Sequence, residues 1–152
     1  MKDRYVQGLL AGIAGWPPQF VFTMIMHSGF DLVKLRFLDF AGVLAFNHKP
    51  HDFWESLFSV LIVIAMMGAL GILFAMAIKV IASPHPLLKG GIFGGVCWFT
   101  IHVIATLFKV KGIYGVTNFN TAVLNLIASI IWGIALGGVL LLLNRKYGAN
   151  HI

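Results

Sequence analysis

Charge is what this sequence has least of. Only 11% of its 152 residues are Asp, Glu, Lys or Arg, against roughly a quarter in an ordinary soluble domain. Acids are scarcer than bases, with 5 Asp+Glu beside 11 Lys+Arg. The single cysteine, Cys97, excludes an internal disulfide framework and any paired-cysteine redox or zinc motif, and its place in an apolar run makes it a small packing residue. Heptads, blocks of like charge and low-complexity tracts are missing as well, which removes coiled-coil and disordered-tail readings. One domain's length leaves no room for a large enzyme with a separate cofactor domain. There is no Gly-x-Ser-x-Gly elbow, His-Glu-x-x-His, phosphate loop or Gly-rich dinucleotide fingerprint. The expectation is therefore a protein without catalytic residues and without a cofactor.

Apolar residues are abundant instead. They make up 59% of the chain, glycine occurs 17 times, and the mean hydropathy is +0.91. Crossing a bilayer takes about 20 mostly apolar residues as a helix. Runs of this kind lie at about residues 6–29, 55–81, 87–108 and 119–143. The first follows Lys2 and Arg4 like a secretory signal, but Trp16-Pro17-Pro18 interrupts it and no small-residue cleavage site stands out, so it reads as a retained span. Between the first two runs, residues 35–46 are apolar on nearly every side but too short to cross, and they carry an Arg36/Asp39 pair at i,i+3. An interfacial or re-entrant helix is expected there. The fold class is all-α: an integral membrane four-helix bundle, one domain over residues 1–152, with that short helix between spans one and two.

A net charge of +6 would suggest nucleic acid in a soluble protein. Here the basic residues sit in ones and twos at the ends of apolar runs, as headgroup anchors do, so the partner is the lipid bilayer and no nucleic acid is expected. With the ends of the chain inside, Lys2, Arg4, Lys79, Lys89, Arg145 and Lys146 face Lys34, Arg36, Lys49, Lys109 and Lys111 across the membrane. This narrow excess places both termini on the cytoplasmic side.

Small residues recur at helical spacing in every span, and Gly12, Gly15, Gly68, Gly71, Gly94 and Gly137 are assigned to close helix packing, within the chain or in a homo-oligomer or membrane-protein partner. Gly12-Ile13-Ala14-Gly15 resembles Gly91-Ile92-Phe93-Gly94 at an offset of 79, which raises a parallel duplication. Pro17-Pro18 removes two backbone donors and should kink or divide span one.

Chemistry would have to come from few groups. No charged residue lies well inside a span, which argues against carboxylate-relay pumping and a charge-selective pore. Gln19, His27, His102 and Asn125 are the candidates to line a polar cavity, and His27 with His102 could hold a metal or haem. His48, His51, Asp52 and Glu55 form a candidate metal site at the surface, although Asp52 and Glu55 also read as a capping box opening span two. Asn120-Thr121 reads as capping polarity for span four.

Leu35-Arg36-Phe37-Leu38-Asp39-Phe40-Ala41 followed by Asn47-His48-Lys49-Pro50, together with Lys89-Gly90 and Thr106-Leu107-Phe108-Lys109-Val110, resembles a family of small four-span membrane proteins of Gram-positive bacteria. The resemblance covers most of the chain and implies the fold and a bacterial inner membrane, with no particular activity. The functional expectation is a non-enzymatic channel- or transporter-like protein or an accessory subunit. Its rival is a metal- or haem-binding protein.

Overall fold

Helix boundaries follow from local chemistry at each end of the apolar runs. The computed structural model describes residues 3–78, 85–114 and 117–148; Lys2, Lys79, the end of span two at 79–81 and Pro84 lie outside them. The elements are α1 (Arg4–Ala14), α2 (Trp16–Met24), a π-helical turn (Ile25–Gly29), α3 (Phe37–Phe46), α4 (Phe53–Ala77), α5 (Pro86–Leu107) and α6 (Phe119–Gly148). Arg4–Gly29, Phe53–Ala77, Pro86–Leu107 and Phe119–Arg145 are long and apolar enough to cross a membrane. The chain is an all-helical, multi-pass membrane protein.

The Pro-Pro pair divides span one without ending it. Gly15 keeps a right-handed helical conformation and donates to Ala11 at 2.9 Å, so α2 continues from α1 with proline in its first turn, where a missing N–H costs least. Among the described residues, left-handed backbone falls between helices: Asp31 (φ 51), Asn47 (φ 62), Lys109 (φ 48) and Gly112 (φ 88). Asn47 is the C-cap of α3, its N–H bonded to Val43 at 2.9 Å. Asp52 caps α4, accepting from Glu55 N at 2.8 Å, but the Glu55 carboxylate reaches His51 N at 2.9 Å and not Asp52 N, so the expected box is offset by one residue. Asn118, outside the expected Asn120-Thr121 pair, caps α6 by accepting from Thr121 N at 2.9 Å.

Glycines set the helix pairs. In the α1/α4 seam a Cβ on Gly8 would lie 2.7 Å from Gly71 O, and one on Gly12 would overlap Met67 O; Gly68 receives Leu9 Cδ1. In the α5/α6 seam Gly90 faces Gly133, Gly94 faces Ser129 O and Gly137 faces Pro86 O, all closer than a Cβ permits. Gly15 lies against Trp132 and Leu136, joining α2 to α6, where Trp132 Nε1 donates to Gly12 O at 3.1 Å. Both halves therefore form glycine-contact helix pairs. Lipid offers no hydrophobic drive for association, so backbone proximity and interhelical hydrogen bonds hold such seams.

Helices α4 and α5 meet chiefly through side chains. Toward the end where α1 starts, the proximal end, Phe74 packs on Phe93 at 5.1 Å between ring centres, and Phe93 on Trp132 at 6.2 Å. Toward the other, distal end α3 fills the space between them. Ala41 joins the core with Val63 and Met67, while Leu35, Phe40 and Val43 cluster with Ala105 and Ile113. Outward faces carry Leu61, Ile92, Val96 and Phe99, all more than half exposed, as a lipid-facing surface requires. Phe53, Trp54, Phe108 and Phe119 stand exposed at the distal rim, where interfacial aromatics belong.

Candidate functional site

Helix α3 and the chain that leads into it pack among the span helices. Val33 and Leu35 are 1% and 0% exposed, and Leu35 O accepts from Asn125 Nδ2 at 2.9 Å. Asn125 stands six residues after Phe119, about 9 Å down α6 from its distal end. Three further bonds hold the descending strand of chain: Lys34 N donates to Thr121 Oγ1 (3.0 Å), Lys49 Nζ donates to Lys34 O (2.8 Å), and His27 Nδ1 lies 2.6 Å from Val33 O. A carbonyl only accepts, so His27 Nδ1 carries a proton. A segment outside regular helix within the membrane is tolerable only when protein groups satisfy its backbone, and these residues do so.

This path brings charge inside. Arg36 and Asp39 form the expected pair, with Arg36 Nη2 at 3.0 Å from Asp39 Oδ1 and Nε at 3.2 Å from Oδ2; the same carboxylate accepts from Arg36 N at 2.7 Å. Asp39 is 3% exposed. Arg36 Nη1 points to Met24 Sδ at 3.6 Å, and Arg36 lines a cavity with Gln19 and Thr23. Those residues place the pair about 7–15 Å in from the distal end of span one, by helix rise. The spans themselves are uncharged inside, but the fold carries a charge pair in on the short helix. Its signal in the sequence is a run apolar on every side: such a helix is surrounded, not laid on an interface.

The polar candidates take separate positions. Gln19 is 1% exposed, and neither polar atom of its amide has a hydrogen-bond partner. Each such group costs about 1–3 kcal/mol when left unmade. Thr23 donates back to Gln19 O at 2.8 Å. Asn125 holds Leu35, with its Oδ1 unpartnered. His102 stacks on Trp98 at 4.2 Å, tilts against Phe40 at 5.8 Å, and has Nδ1 3.2 Å from Trp98 O. His27 and His102 thus have separate surroundings, and His102 Nε2, like Trp98 Nε1, is buried without a hydrogen-bond partner. Of the four, Gln19 alone lines the cavity between α2 and α3, a space of about 20 Å³ walled by Trp16, Phe20 and Phe37 besides the polar groups.

At the distal surface His48 and His51 stack with ring centres 4.9 Å apart, and His48 Nδ1 lies 3.9 Å from Glu55 Oε2. His48 Nδ1 is also 2.8 Å from Lys49 O. Asp52 is occupied as a helix cap. Among the described residues no three His, Cys, Asp or Glu side chains are placed to hold a metal ion.

Apolar spaces lie elsewhere in the bundle. One, about 70 Å³, lies between α3 and Ile62, Met66, Met67 and Ile101. The other is an open groove of about 610 Å³ on the α5/α6 face, where Leu87, Leu88, Ile92, Ile130 and Ile134 surround Gly91 and Gly95. A Cβ at Gly95 would meet only Leu126 Cδ1, at 3.9 Å. None of the curated proteins and none of the solved structures matches the chain. The model of DUF6789, a family of unknown function, matches residues 2–150.

Proposed function

The chain therefore belongs to the DUF6789 family, and we propose that it is a non-enzymatic accessory subunit of the bacterial inner membrane. It works by assembling with further membrane helices, its own copies or another protein, with the proximal end cytoplasmic. The open α5/α6 groove carries this reading. Most glycines face a neighbouring helix, Gly91 among them with Ile130 and Ile134 over it, but Gly95, one turn on, is only half-buried and stands in an outward groove where another helix backbone can approach closely. The interior supports it too, since Thr121, Asn125 and His27 are engaged in holding the chain that leads into α3.

The test is the mass of complexes extracted with their surrounding lipid. Assemblies above the 16.7 kDa of one chain are expected, and Gly95→Ile should dissociate them. A particle holding one chain and lipid alone refutes assembly. The Gln19 cavity favours a second reading, a carrier or channel for small solutes. Solute flux in proteoliposomes that disappears in Gln19→Met would put that reading in its place.

A further inference from the structure

We infer that the cavity between α2 and α3 is a binding site for one compact, uncharged molecule that both donates and accepts hydrogen bonds, of the size of water or ammonia. The site stands whether or not the protein assembles with partners. Gln19 presents a donor and an acceptor that are buried and unpaired, beside a space of about 20 Å³. That volume holds one water-sized guest. A guest accepting from Nε2–H and donating to Oε1 satisfies both ends of the amide at once.

The walls select against ions. Arg36 is the cation lining the cavity, and Asp39 neutralises it through contacts of 3.0 and 3.2 Å, while Trp16, Phe20, Met24 and Phe37 are uncharged. An anion would face the Asp39 carboxylate behind the guanidinium, and a cation would face the guanidinium itself. Polar anchors for a neutral guest remain: Arg36 Nη1 has only the weak Met24 sulfur as acceptor, at 3.6 Å, and the Thr23 hydroxyl donates to Gln19 O, leaving its lone pairs to accept.

Solid-state NMR of labelled protein in lipid bilayers tests this by transferring magnetisation from water to protein. Transfer to the Gln19 side-chain amide should be several-fold faster than to Trp132 Nε1–H, which is also buried but already bonded to Gly12 O. Repeating the measurement with ¹⁵N-ammonia at alkaline pH separates the two guests: a ¹⁵N contact to Gln19 identifies ammonia, and an unchanged water contact identifies water. Gln19→Met keeps the side-chain length without the amide and should slow transfer to Thr23, which is 5% exposed, several-fold. Transfer to Gln19 no faster than to Trp132 overturns the inference, as does undiminished transfer to Thr23 in Gln19→Met. The wild-type measurement decides alone if that variant fails to fold.

Discussion

In the α5/α6 seam two backbones touch because Gly90, Gly94, Gly133 and Gly137 present nothing between them, whereas around α3 polar side chains reach across gaps to satisfy a backbone that has left the helix. The first region depends on the absence of side chains. The second depends on their presence. A seam without Cβ atoms has no slack, because any added carbon meets a carbonyl that belongs to a helix and cannot turn aside. Polar contacts around α3 are individually modest and several act together, so losing one leaves the others.

Substitutions in the two regions test this contrast. Gly94→Leu should have the largest effect, since its Cβ would overlap Ser129 O: the variant is expected to yield no monodisperse, folded protein on size exclusion in detergent. A well-behaved Gly94→Leu protein would remove the basis of the comparison. Asp39→Asn leaves Arg36 without its counter-charge, and unfolding in mixed micelles should show a loss of about 3 kcal/mol, the scale for a broken buried pair. Smaller again, Asn125→Leu removes the donor to Leu35 O and should cost roughly 1–2 kcal/mol by the same measurement. If it costs more than Asp39→Asn, the charge pair is not the chief support of α3. Gly95→Ala sits at the far end of the scale: in the single chain, open space and better helix propensity should raise stability by about 0.5–1 kcal/mol, seen as a higher Tm of the monomer in detergent.

The helices themselves were legible in the sequence. Expected spans at 6–29, 55–81, 87–108 and 119–143 correspond to Arg4–Gly29, Phe53–Ala77, Pro86–Leu107 and Phe119–Arg145, and the short helix at 35–46 to Phe37–Phe46. Hydropathy suffices for this because every residue of a span meets the same solvent, so length and composition report it directly. The Arg36/Asp39 pair was legible too, as an i,i+3 spacing, but its depth was not. Gln19, His27, His102 and Asn125 could be picked out as the polar groups within spans. Their separate environments depended on which helix each one faced.

Four helices long and apolar enough to cross a membrane, and the few side chains able to carry chemistry, could be read from the sequence alone, since these depend on composition and on distances along the chain. Tertiary structure decided that the short helix enters the bundle, that Arg36 and Asp39 go in with it, and that Gln19 is left with unmet hydrogen bonds beside a water-sized space. The reason is geometric. Helices α4 and α5 stand apart at the distal end, and only contacts between residues far apart in the chain, such as Asn125 with Leu35 and Thr121 with Lys34, determine what fills the gap.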